Sequence, residues 1–268
     1  MNVQDEWTEW TRERDRAITA DYGPLSLTAL HWLTDTPTAY PPVPGMWRAD
    51  AKSITVTDAE NLRFDDHAIA DTVTLTAETD VRGEFDRRRV VEVIRRDGAA
   101  AIRVRDPQAP ARLAFGAQPR YAFDPAWRLT GAFAPYEQPR VSTVGSVVEG
   151  VSHRMLAAGD VRFTVGADEH RLVVFTDVSH SHRWILFSSR TTPVSIRSLV
   201  PSPPDKNGDM VVDFNRAQNL PCAYNDFSTC PVPPPENRLE IEVTAGERLP
   251  NASLRPMIER TPRCAAIA

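Results

Sequence analysis

The chain has 268 residues, 41% hydrophobic and 25% charged, a globular composition long enough for one large β-rich domain or two small ones. Its formal charge of −5 and pI near 5.7 argue against a general nucleic-acid binder. No apolar run approaches the ~18 residues that span a membrane, and the N-terminus lacks the basic start and apolar stretch of a signal peptide, so a cytoplasmic protein with reduced thiols is expected.

Residues 6–20 carry Trp7, Trp10, Arg14, Ala17 and Ile18 at roughly helical spacing. They predict an amphipathic helix, stopped by the turn residues Asp21-Tyr22-Gly23-Pro24. Residues 25–33 (LSLTALHWL) are apolar enough to be buried as a short helix or a strand, and the four prolines within 37–45 predict an irregular loop. Residues 1–48 thus form an N-terminal helical segment packed on the main domain, and residues 49–268 a β-rich domain.

From Ala49 the apolar period changes from 3.6 to 2. SITVT, TVTLTAE, RVVEVIRR, AAIRVRD, ARLAF, VRFTV, RLVVFTD, RWILFSS, MVVDF and RLEIEV read as short strands. The plainest hairpin is RRVVEVIRRDGAAAIRVRD, whose Asp97-Gly98 suits a two-residue primed turn. Another bends at Gly166-Ala167-Asp168, and residues 160–188 continue as a meander. With no internal repeat and no βαβ alternation, the fold class is mainly β: an antiparallel barrel or sandwich with an N-terminal helix and a long ordered C-terminal loop.

That loop, residues 213–247, is too polar and proline-rich for a regular element up to Arg238, yet Phe214, Tyr224 and Phe227 can anchor it on a core. Asp213, Asn215, Arg216 and Asn219 form one polar group at its start. Glu236, Asn237 and Arg238 form another after the rigid Pro233-Pro234-Pro235. A carboxylate, amides and guanidiniums gathered in this way suit a small polar or anionic molecule, with Glu236 as a general base if the protein is a hydrolase-type enzyme. The same residues could instead latch the loop, through backbone capping or through Arg216–Glu236 and Arg238–Glu247 pairs, in a non-catalytic structural or interaction protein.

Cys222, Cys230 and Cys264 form no C-x-x-C pair, and the first two read as small buried residues. His180-Ser181-His182 is expected in an exposed turn rather than at a metal. There is no nucleotide-binding glycine loop, nucleophile elbow or H-E-x-x-H, so no cofactor is assigned.

The run Asp213-Phe214-Asn215-Arg216-Ala217, then Asn219, Pro221-Cys222-Ala223, Cys230-Pro231, Pro233-Pro234, Glu236-Asn237-Arg238-Leu239 and Ala245-Gly246-Glu247, resembles the bacterial family known as domain of unknown function 1684. Trp10 to Arg14, residues 25–33 and residues 103–106 look like earlier landmarks of the family. Residues 175–182 depart from it: Asp177 and Arg190 can be matched, but a threonine, a glycine and a tyrosine cannot. The resemblance implies no particular chemistry.

Overall fold

The computed structural model describes residues 2–64, 67–69, 71–76, 81–86, 88–191 and 195–250; Cys264 lies outside these residues. Helix α1 (Val3–Thr19) begins with a reciprocal capping box between Asn2 and Asp5. The N-terminal half then supplies β1 (Leu27–Trp32), β2 (Thr38–Tyr40), β3 (Val43–Ala49), β4 (Ser53–Thr57), β5 (Arg63–Phe64) and β6 (His67–Ala68). It continues with β7 (Val73–Thr76), β8 (Val81–Phe85), β9 (Arg89–Arg96) and β10 (Ala99–Arg105).

These strands make two antiparallel sheets, β1-β10-β9-β8-β5-β6 and β2-β3-β4-β7. Period 2 decides which side chains meet. Val91, Val93, Ala100, Ile102 and Val104 face Val43, Trp47, Ile54 and Val56 of the smaller sheet in one core. Glu92, Ile94 and Arg96 necessarily point the other way, with Ala101, Arg103 and Arg105 beside them across the β9–β10 ladder. Asp97 and Gly98 take the left-handed backbone that their turn requires, at φ 49° and 85°.

The C-terminal half forms a single sheet of eight strands. It contains β11 (Arg128–Gly145), β12 (Ser152–Val165), β13 (Asp168–Thr176), β14 (Arg183–Ser189), β15 (Arg197–Leu199), β16 (Asp209–Asp213), β17 (Gln218–Asn219) and β18 (Arg238–Leu239). Their order is β16-β11-β12-β13-β14-β15-β17, with β18 pairing in parallel to β14. The fold is thus mainly antiparallel β with an N-terminal helix, and the expected meander is β12-β13-β14.

Several local expectations change. Residues 25–33 take the strand alternative, a 3-10 turn leading into β1, whereas residues 37–45 carry β2 and the start of β3 despite their prolines, because the chain turns at Pro41-Pro42 between them. ARLAF is not a strand. Pro110 opens the short helix α2 (Pro110–Leu113), and Arg112 caps α1 by donating Nε to the Thr19 and Ala20 carbonyls. RLEIEV keeps only β18. Beyond it the backbone bonds the Arg190 amide, the Thr191 hydroxyl and the buried Arg197 guanidinium, rather than a neighbouring strand. The last residues of TVTLTAE lie outside the described residues. The longest strand, β11, had no clear period because most of its residues are exposed or half-buried.

Asn237 shows how a motif residue serves the sheet. β13 and β14 pair only at Phe175–Trp184 and Thr176–Arg183. Where they part, the fully buried Asn237 carboxamide fills the gap, accepting from Val173 N at 2.7 Å and donating to Val173 O at 3.0 Å and Leu186 O at 2.7 Å. Asn237→Ala leaves three buried backbone groups unpaired and is expected to cost about 3 kcal/mol in urea unfolding. A cost below about 1 kcal/mol would show that those groups find other partners.

Candidate functional site

The signature loop is held by its three aromatics, each in a different core. Phe214 is fully buried in the C-terminal half, edge-on to Trp127, Phe163 and Phe187 with centroids 5.3–5.7 Å away. Tyr224 packs with Ile18 and Leu25 under helix α1. Phe227 lies on the outer face of the six-stranded sheet, against Leu27, Leu30, Ile94 and Ala101. Each burial contributes roughly 1.5–3 kcal/mol, so the loop is ordered although it is irregular.

The polar residues picked out from the sequence do not share one site. Asp213 caps the 3-10 turn Phe214–Arg216, accepting from Asn215 N at 3.1 Å and Asn215 Nδ2 at 3.0 Å. Asn215 is buried and exchanges bonds with the Asp124 backbone, while its carbonyl accepts from Trp7 Nε1 at 3.0 Å. Asn219 donates Nδ2 to Arg248 O, and Asn237 is the sheet filler described above. Glu236 and Arg238 are exposed on the far side of the loop. Asp213 and Arg216 adjoin a groove of about 360 Å³ with Glu6, Trp10, Arg128 and Gln218, where acids and bases balance. Arg216 lies 3.6 Å from Glu6 and 3.9 Å from Asp213, not against Glu236.

Glu247 also takes partners other than Arg238. Its side chain is wholly buried, and its oxygens lie 2.9 Å from Arg14 Nε, 3.3 Å from Arg14 Nη2 and 3.5 Å from Arg120 Nη2. It accepts from Asn219 N at 2.7 Å, and the Tyr224 hydroxyl lies 3.2 Å away. That hydroxyl donates to Gln118 Oε1 at 2.9 Å, and Arg14 Nη2 reaches Asn219 O. Gly246 makes this approach possible. At φ +77° it holds left-handed backbone, and a Cβ there would meet Phe214 O and Ala217 O at 2.7 and 2.6 Å. One carboxylate therefore ties α1, the loop and the C-terminal segment together.

With the loop so held, its stretch from Leu220 to Pro231 forms one wall of a cleft of about 440 Å³ between the two halves. The opposite wall is the outer face of β9 and β10, with Arg96, Arg103 and Arg105; His153 of β12 and Asn225, Ser228 and Thr229 complete it. Beneath the arginines lies Glu92, buried, 2.7 Å from Arg82, 2.9 Å from Arg103 and 2.8 Å from Arg105. Burial disfavours its charge, but the Arg105 hydrogen bond and the three guanidiniums outweigh this and lower its pKa. Burial also lowers the pKa of His153, which Thr229 and Asp97 oppose and Arg96 reinforces.

These arginines were not among the residues predicted for the site, because each is one polar position in a regularly alternating hairpin. The signal was present in the parity of RVVEVIRR and AAIRVRD, which sets Glu92, Arg96, Arg103 and Arg105 on one face. The histidine turn is exposed, its backbone and hydroxyls held by Asp177, whose carboxyl is kept well below the usual range by Ser179, His182 and Ser181 despite some desolvation. Arg190 pairs with the exposed Glu240. Among the described residues, no group of three or more His, Cys, Asp or Glu could hold a metal ion.

The model of a family described as "Protein of unknown function (DUF1684)" matches residues 114–248, half of the chain. The matched span begins after α2 and ends at Arg248, so the earlier landmarks read at residues 10–14, 25–33 and 103–106 lie outside it. Among solved structures, the chain is similar to the solution NMR structure of the uncharacterized protein from gene locus rrnAC0354 of Haloarcula marismortui. They share 28% identity over 51% of this chain and 78% of that one, with a TM-score of 0.42. No curated protein matches the chain.

Removing Glu247 strips a buried charge from two guanidiniums, a change that typically costs about 3–5 kcal/mol. Glu247→Ala is expected to fall in that range by urea unfolding, whereas Glu240→Ala, which breaks only the surface pair with Arg190, costs under about 1 kcal/mol.

Proposed function

We propose, from the premise that the chain belongs to the DUF1684 family of proteins of unknown function, that it binds a small anionic molecule in the cleft between its two halves. The observation that carries this reading is the outer face of β9 and β10. Arg96, Arg103 and Arg105 border the cleft there, and Glu92 beneath them also serves Arg82. A lining with three guanidiniums and, among the described residues, no carboxylate suits phosphate, sulfate or carboxylate groups, which guanidiniums grip with paired N–H donors. Asn225, Ser228 and Thr229 supply neutral polar atoms at the opposite wall, and the volume suits a ligand of modest size.

In this reading the signature loop is a latch and a wall at once. Asn225 donates Nδ2 to Pro24 O at 2.9 Å and accepts from Phe227 N and the Ser228 hydroxyl, so the wall is fixed to the N-terminal half without a ligand. Preorganisation of this kind lowers the cost of binding. The balanced groove at Asp213 and Arg216 offers no comparable excess of either charge.

Titration calorimetry with sulfate, at fixed ionic strength, tests the proposal. Arg96→Gln is expected to weaken binding about tenfold, and Arg216→Gln in the other groove to leave it unchanged. Sulfate favours protonated His153, whose folded pKa burial has lowered, so affinity should rise as pH falls from 7 to 6, and His153→Gln should abolish that rise. Binding that survives Arg96→Gln and disappears in Arg216→Gln would overturn the assignment.

A further inference from the structure

Cys222 and Cys230 meet at the cleft. Cys222 sits in the 3-10 turn Pro221–Ala223, and its amide points at Cys230 Sγ from 3.3 Å. Neither side chain is in a disulfide. Prolines flank the pair on either side, at Pro221 and Pro231. The intervening residues are pinned by Asn225 and Phe227, and the Cys230 carbonyl accepts from Val147 N and the Ser146 hydroxyl. The two sulfurs are therefore held together by the fold rather than by chance collision. Cys230 lines the cleft although only 6% of it is exposed, and Cys222 is half-buried.

We infer that Cys222 and Cys230 are a thiol–disulfide couple, in which Cys230 attacks a low-molecular-weight disulfide entering the cleft and Cys222 resolves the product. Position distinguishes the two roles: Cys230 lines the cleft and its sulfur accepts from the Cys222 amide at 3.3 Å, whereas Cys222 is not part of that lining. Cys230 receives hydrogen bonds from the Cys222 thiol and the Cys222 amide and lies near Arg103; these hold its pKa below the ordinary thiol range although burial opposes them. Cys222, as the donor, is pushed up by that same hydrogen bond and by burial.

With glutathione disulfide as the oxidant, the Cys230 thiolate attacks one of its sulfurs, the S–S bond breaks, and one glutathione thiolate leaves. Cys222 then passes its proton to a departing thiolate and attacks Cys230 in the mixed disulfide. An internal S–S bond forms and the second glutathione leaves. Two protein thiols are oxidised and one disulfide is reduced to two thiols. This chemistry is independent of which anion the cleft holds.

The test is glutathione disulfide treatment of the folded full-length protein, followed by peptide mapping under non-reducing conditions. Wild type is expected to yield a Cys222–Cys230 peptide pair and no lasting glutathione adduct on either residue. Cys222→Ser should stop at a mixed disulfide on Cys230, and Cys230→Ser should leave Cys222 at least tenfold less modified than Cys230 is in the other variant. Equal modification of the two single variants, or a wild type that keeps both thiols under conditions in which Cys222→Ser is modified, would overturn the inference. So would failure of Cys230 to react in a Cys222→Ser protein whose circular dichroism is native.

Discussion

The burial of the Glu247 carboxylate is the constraint on which the rest depends. A carboxylate withdrawn from water costs several kcal/mol unless charges and donors surround it. Here Arg14 comes from helix α1, Arg120 from the segment before β11, and the Asn219 amide and Tyr224 hydroxyl from the signature loop. These groups are far apart in the chain and converge only when the helix, the segment before β11 and the loop are in place. Gly246 belongs to the same device, since no side chain fits where its backbone meets Ala217 and Phe214.

A second buried acid acts in the other half with a different result. Glu92 sits between Arg82 and Arg103 across neighbouring strands, with Arg105 closing the set, and all four point away from the hydrophobic core. Where Glu247 is enclosed by groups that satisfy it, Glu92 lies beneath an arginine face that the loop roofs. The first acid sets where the loop goes, and the second sets the charge of the surface it covers. The cleft, with His153 and the two cysteines on its borders, follows from their combination.

How much of this was legible varies with how local the cause is. The β9–β10 hairpin could be read directly, because alternation, Asp97-Gly98 and strand length all agree. The three aromatics of residues 213–247 correctly announced an ordered loop, but not that each enters a different core. ARLAF and RLEIEV misled because local pattern competes with distant partners: Arg112 is drawn to the end of α1, and Arg197 takes the carbonyls that a strand would have paired. Strand β11, with its mostly exposed or half-buried residues and two prolines, offered no alternation to find.

The site residues divide in the same way. Asn215, Asn219 and Asn237 stand out in the sequence because they are polar in an unusual segment, yet their partners are backbone groups up to 91 residues away. Arg96, Arg103 and Arg105 carry no such mark, being polar positions of a regular hairpin. They become candidates only once the loop is seen to lie over them, which no single-strand pattern reports.

The central claim is that one carboxylate holds the loop as well as the helix, so hydrogen exchange on Glu247→Gln under native conditions tests it most directly. The account predicts that amides of residues 218–231 and of α1 lose protection together, while the β9–β10 hairpin keeps its own. Faster exchange in α1 alone, with residues 218–231 as protected as in the wild type, would contradict it.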